Sequence, residues 1–221
     1  MIDHRITMAK EPPKAILYIN GEPPKQLPPY SEGDIWACTD GAWSYLKQKG
    51  VTVEQLAFIS GDFDSVVSLE DLPSEKVIST PNQDFTDFYK ALDLLKQKGI
   101  TKVDVYGASG KEQDHFLGNL TVAYQFKEEI DITFYDDMAT YFFISQQVEL
   151  KEVKGKTVSL YPFPEAKSIV TKGLRWSLNK EDLSITSRIG TRNIADEDTI
   201  SISYTHGSLL VFLSKSRELN P

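Results

Sequence analysis

Six aspartates stand where a chain would set them to hold a hard cation against phosphate: Asp40, Asp62, Asp64, Asp84, Asp87 and Asp114. Each comes shortly after a run of strand character. Asp40 follows IWACT (Ile35–Thr39), and Asp62 and Asp64 lie in GDFDS (Gly61–Ser65) after LAFIS. Asp84 and Asp87 lie in NQDFTD (Asn82–Asp87) after KVIS, and Asp114 in GASGKEQDHFLGN (Gly107–Asn119) after VDVY. In an open α/β sheet, ligands bind beyond the carboxyl ends of the strands. Such a rim of carboxylates repels itself unless cations neutralise it. Mg²⁺ suits the task because it takes carboxylates, water and phosphate oxygens together. Any single one of these residues reads equally well as a cap or turn former, Asp84 as the cap of a helix from Phe85 among them. The set reads as a metal and phosphate site. The glycines of Gly107–Gly110 would let backbone N–H groups approach a phosphate. His115 either orients Asp114 or packs in the core.

The elements that must position these residues alternate in type. Lys14–Ile19, Ile35–Thr39, Leu56–Ser60, Lys76–Ser79, Val103–Tyr106 and Ile132–Tyr135 read as strands. Helical patterns fall at Ala42–Lys49, at Phe85, Phe88, Tyr89, Leu92 and Leu95, and over about Asp114–Lys127. That alternation predicts an α/β domain with a mainly parallel sheet over residues 1–138. After Met138 only strand-like runs follow: Val148–Val153, Thr157–Tyr161, Ser168–Thr171, Leu183–Ser187, Thr199–Tyr204 and Ser208–Leu213. His206-Gly207 reads as a hairpin turn between the last two. Residues 139–221 are therefore expected to form a small all-β domain.

Bulk properties narrow the classes further. A net charge of −8 over 221 residues disfavours nucleic acid as a partner. No apolar run is long enough to span a bilayer, and the N-terminus lacks the pattern of a signal peptide. Cys38 is the only cysteine, so no intrachain disulfide forms and a reducing, cytoplasmic setting is expected. Zinc and serine-nucleophile signatures are missing.

In order along the chain, DGA (Asp40–Ala42), GDFDS, NQDFTDFYKAL (Asn82–Leu92), GASGKEQDHFLGNL (Gly107–Leu120), SLYPF (Ser159–Phe163) and GLRWSL (Gly173–Leu178) resemble the motif series of the thiamine pyrophosphokinase family. The resemblance implies a Mg²⁺-dependent transfer of diphosphate from ATP to thiamine, giving thiamine diphosphate and AMP. It implies an α/β ATP-binding domain, a β-sandwich that holds thiamine, and homodimers with interfacial active sites. By the same resemblance Asp62, Asp64 and Asp87 bind metal, and Asp40 and Asp114 line the catalytic cleft. Gln83, Asp84, Thr86 and Asn119 belong to the nucleotide side, while Trp176 and Asn193 contact thiamine. Asn82 stands where the family often has aspartate, and Gly190-Thr191-Arg192-Asn193 where many members have a Ser-Asn pair.

Three other readings remain open at this point. Asp62-Phe63-Asp64-Ser65-Val66 also resembles the nucleophile motif of haloacid-dehalogenase-like phosphatases, with Asp136-Asp137 as their late acidic pair. Transfer to a different alcohol, such as a pterin, is a nearer variant. A non-catalytic nucleotide or thiamine sensor is the alternative outside enzymes.

Overall fold

The computed structural model describes residues 14–31, 33–63 and 72–217; Asp64 and Ser65 lie outside the described residues. The first part contains strands β1 (Lys14–Tyr18), β2 (Ile35–Thr39), β3 (Leu56–Gly61), β4 (Val77–Ser79), β5 (Lys102–Tyr106) and β6 (Asp131–Tyr135). Helices α1 (Asp40–Gln48), α2 (Asp87–Gln97) and α3 (Gln113–Phe126) are interleaved with them. The six strands are parallel, in the order β4-β3-β2-β1-β5-β6. From β1 the chain first builds outward through β2, β3 and β4. It then returns to the other side of β1 to lay down β5 and β6, so the topological switch point lies between β1 and β5.

Strands such as KAILY and IWACT are apolar almost throughout because both faces of this sheet are covered. Ala15, Leu17, Ala37, Phe58, Val103 and Val105 pack against Phe88, Leu92 and Leu95 of α2 and Leu120 and Ala123 of α3. The alternate residues Ile16, Tyr18, Trp36, Cys38 and Ile59 pack against Ala42, Tyr45 and Leu46 of α1. The helix over Phe85–Leu95 starts later than its periodicity suggested. Thr86, not Asp84, is its cap: the hydroxyl accepts the Tyr89 N–H at 3.2 Å. Phe85 stays outside, exposed and stacked on Tyr89.

Among the described residues Asp104 is the one charged side chain buried within a central strand of this sheet, and it pairs with Lys14 on the neighbouring strand. Burial pushes its carboxyl above the usual carboxylate range, against the pull of Lys14 and Lys102. A carboxyl raised in the folded state contributes stability below its unfolded value of about 4, and that contribution is lost as pH rises through the folded value. We expect Asp104→Asn to be at least as stable as the wild type at pH 7, with the gap closing towards pH 4. Urea denaturation at both pH values checks this; a variant weaker at pH 7 than at pH 4, relative to the wild type, contradicts it.

The second part contains β7 (Ala139–Ile144), β8 (Gln147–Leu150), β9 (Lys156–Lys172), β10 (Asn179–Ser184), β11 (Gly190–Ile194), β12 (Ile200–Ser203) and β13 (His206–Arg217). β7 runs antiparallel to β6 and carries the sheet on into β13 and β9 without a break. The two runs read as Thr157–Tyr161 and Ser168–Thr171 are one strand of 17 residues. Its first half pairs with β13 and β11, and its second half with β10 and β12, so it folds the sheet over on itself. Leu183–Ser187 was too long a reading on its C-terminal side: after Ser184 the chain turns, with the Ser187 N–H donating to the Ser184 carbonyl at 3.1 Å. His206-Gly207 is not a hairpin turn either. β12 and β13 both pair with β9 rather than with each other. Leu209 and Val211 face the core of the β part with Val158, Leu160, Ile169, Ile200 and Ile202, while Leu210 faces the α/β core. Among the described residues no helix follows α3, and none is long and apolar enough to cross a membrane.

Candidate active site

A cleft of about 400 Å³ opens at the carboxyl ends of the parallel strands, over the switch point. Loops after β1 (Asn20, Gly21), β3 (Asp62) and β5 (Ala108, Ser109, Lys111) line it, together with the junction of β2 and α1 (Thr39–Gly41) and the first turns of α2 and α3. Of the sequence-predicted residues, Asp40, Asp62, Thr86, Asp87, Asp114 and Asn119 come together there. Grooves of about 510 and 960 Å³ beside the end of α3 contain none of them.

Asp40 opens α1, where the helix dipole favours an anion. Its carboxylate is buried, 6% exposed, and accepts the Gly41 N–H at 2.7 Å and the Phe63 N–H at 2.9 Å. Burial pushes this carboxyl up; the Phe63 and Gly41 N–H groups pull it down, and the nearby charges of Asp87 and Asp62 add to the rise. Asp62 accepts the Gln83 amide at 3.1 Å, and that contact is what ties Gln83 to the site. Asp87, the first residue of α2, is paired with Lys90 at 2.7 Å. Lys90 also donates to the carbonyls of Thr80 and Asn82, pinning the NQDFTD segment to the sheet. Asp114 accepts the His115 N–H at 2.9 Å. Asn119 donates to the Ala108 carbonyl at 2.9 Å and so holds the glycine loop against α3.

Several residues fall elsewhere. Asp84 is exposed, outside the cleft, with its N–H on the Asn82 side chain. His115, by contrast, does line the cleft, but it is exposed and faces Glu112 at 3.5 Å, so it is not a core residue. Trp176 and Asn193 lie in the β part, joined by paired hydrogen bonds: the Trp176 N–H donates to Asn193 Oδ1 at 3.1 Å, and Asn193 Nδ2 to the Trp176 carbonyl at 2.7 Å. Trp176 is 58% exposed, and neither residue reaches the cleft of its own chain. Thr39, Asn20 and Lys111 also line the cleft, although the sequence did not single them out. The signal available for the last two was a turn pair, Asn20-Gly21, and a lysine at the end of a glycine loop.

The donor set fits Mg²⁺. Asp40, Asp62 and Asp87 are close enough to raise one of their number, a strain that a cation relieves. The Thr39 hydroxyl on the cleft wall is buried with no hydrogen-bond partner among the described residues. Also among the described residues, no three acidic or histidine side chains gather around one point. Mg²⁺ characteristically takes only one or two carboxylates and completes its shell with water and phosphate.

The phosphatase resemblance does not survive this geometry. Its late acidic pair is occupied elsewhere: Asp136 accepts the Met138 and Ala139 N–H groups and the Ser109 hydroxyl, and Asp137 pairs with Lys25. Neither lines the cleft.

Together these features define an α/β part with an acidic cleft at its switch point, continued through one sheet into a β part. Residues 30–134 match the family described as "Thiamin pyrophosphokinase, catalytic domain", and residues 145–209 that described as "Thiamin pyrophosphokinase, vitamin B1 binding domain". The chain belongs to the thiamin pyrophosphokinase family. Thiamine pyrophosphokinase 1 of Oryza sativa subsp. japonica is 31% identical over 163 residues, which span 66% of this chain and 61% of that protein. Thiamine pyrophosphokinase of Bacillus subtilis (strain 168) is 26% identical over 214 residues, spanning 91% of this chain and 99% of that protein. The crystal structure of thiamin pyrophosphokinase from Geobacillus thermodenitrificans shares the fold, with a TM-score of 0.79 at 19% identity, covering 94% of this chain and all of that one (100%).

Proposed function

We infer that this chain transfers a diphosphoryl group from ATP to the hydroxyl of thiamine, releasing AMP. The observation that carries this reading is the convergence of Asp40, Asp62, Asp87 and Asp114 on one cleft in a chain of this family. The hydroxyl oxygen attacks the β-phosphorus, a new O–P bond forms, and the bond from that phosphorus to the oxygen shared with the α-phosphate breaks. Such chemistry asks the protein mainly for positioning and charge stabilisation. Asp62 and Asp87, with Asp64, would hold Mg²⁺, which when bound neutralises phosphate charge. Asp40 is fixed by two backbone N–H groups and sets the shape of the cleft behind them. Asp87 is engaged with Lys90, whereas Asp114 has no cationic partner among the described residues, so we assign Asp114 to accept the hydroxyl proton.

Thiamine's cationic ring suits an indole face. Trp176 already lies 5.8 Å from the Arg175 guanidinium, and Asn193 braces its backbone. Because this pair is remote from the cleft of its own chain, a homodimer in which the β part of one copy faces the cleft of the other fits the reading. A cytoplasmic setting fits the buried thiol of Cys38.

Thiamine-dependent release of AMP tests the function. Binding of ATP and thiamine by calorimetry without AMP would favour a sensor instead. Trp176→Ala is expected to raise the thiamine KM about fivefold and leave the ATP KM within about twofold, since an exposed cation–π contact of ~1 kcal/mol is lost from one substrate only. Equal rises in both constants would remove Trp176 from the thiamine site.

A further inference from the structure

Among the described residues five carboxylates line the cleft, those of Asp40, Asp62, Asp87, Asp114 and Glu112, and it must admit a polyphosphate. Among the described residues on its wall, Lys111 is the only lysine or arginine. Lys90, close by, is already committed to Asp87 and to two backbone carbonyls. Lys111 makes no ion pair with the described carboxylates. Its ammonium instead donates to a neutral acceptor, the Asn20 side-chain oxygen, at 3.0 Å.

That arrangement is built into the backbone. The turn after β1 and the glycine loop after β5 are bound to each other. The Gly21 N–H donates to the Gly107 carbonyl at 2.6 Å, and the Glu22 N–H to the Ser109 carbonyl at 2.7 Å. A methyl group on Gly21 would overlap the Gly107 carbonyl, so the approach requires glycine. Asn20 is held on its other side too, because its amide rests on Gly41, where even a Cβ would collide with it. Asn20 therefore bridges the turn after β1, the first turn of α1 and the loop after β5 at the switch point, and it presents Lys111 to the cleft with its charge uncompensated.

We propose that Lys111, positioned by Asn20, is the cation that receives the polyphosphate of the diphosphoryl donor. This rests on the ATP reading given above. Lys111 acts as a point charge on phosphate oxygens, opposite the carboxylates that hold the metal. Its neutral partner matters: a carboxylate at position 20 would spend the charge before the nucleotide arrived.

The test is steady-state kinetics of purified full-length variants. Lys111→Ala should raise the ATP KM at least about tenfold, about 1.4 kcal/mol of binding, with the thiamine KM within about twofold. Lys111→Arg should restore most of the loss. Asn20→Ala should raise the ATP KM less, and should add nothing in the Lys111→Ala background, because it acts through the lysine. An ATP KM within about twofold of wild type in Lys111→Ala overturns the proposal, as does a further rise when Asn20→Ala is added to it. If the wild type released no AMP, the functional reading would fall instead. Calorimetric titration with Mg·ATP would then decide the role of Lys111, a weaker Kd in Lys111→Ala supporting it and an unchanged one refuting it.

Discussion

Asp62→Asn is expected to lower kcat on the order of a thousandfold or more while the folded state survives, because it removes a charge the reaction needs and little that the fold needs. Asp62 sits just past β3 on the wall of the cleft and is only half buried. The amide keeps the size of the side chain and still offers Gln83 an oxygen for the bond that Asp62 makes at 3.1 Å. What disappears is the negative charge that would hold a cation against the phosphates. Turnover at saturating ATP, Mg²⁺ and thiamine, together with a thermal melt, checks both halves. A kcat near wild type would take Asp62 out of the mechanism; a collapsed melt would make it a structural residue.

The second large effect should come from a residue with no side chain. A Cβ on Gly61, the last residue of β3, would overlap the carboxylate of Asp40, with Oδ1 only 2.7 Å away. Asp40 has nowhere to retreat, being buried and held by the Gly41 and Phe63 N–H groups. Gly61→Ala must therefore push Asp40 out of place or shift the end of β3 and with it Asp62. Overpacking of this kind costs about 1–3 kcal/mol of stability. A displacement of about 1 Å near the chemistry costs on the order of a hundredfold in rate. Urea denaturation and kcat measure the two separately. Replacing Asp40 by glycine in the same chain should recover much of the lost stability but none of the lost activity. A Gly61→Ala protein with normal kcat would mean that the placement of Asp40 does not matter.

Much of the α/β part was legible because its strands are buried on both faces and so read as short apolar runs between helical patterns. The acidic rim was legible for a related reason: loops at strand carboxyl ends converge in space whatever their separation in sequence. The β part was read less well. β9 looked like two strands because Pro162, Pro164 and a left-handed Ser168 (φ +52°) interrupt its alternation where it bends. β7 was missed because ATYFFI carries aromatic residues on both faces, Tyr141 towards one core and Phe142 towards the other, so no alternation shows. Asn20 and Lys111 are 91 positions apart, and only the order of strands β1 and β5 makes them neighbours. Trp176 and Asn193 were each picked out by family motif, yet their mutual bonding across 17 residues depends on the antiparallel bridge of Leu174 to Ala195, which no motif encodes. The cap of α2 shows a finer limit. Asp84 and Thr86 are both good caps by type, and the backbone chose the one whose hydroxyl meets the Tyr89 N–H.

The central claim is that the carboxylates at the sheet's switch point direct attack onto the β-phosphorus of ATP. It is tested most directly by following ATP labelled in the β-phosphate through a single turnover with thiamine and Mg²⁺. The account predicts that the label appears in thiamine diphosphate, with unlabelled AMP as the only nucleotide product. Unlabelled thiamine monophosphate accompanied by labelled ADP would put the attack on the γ-phosphorus and contradict it.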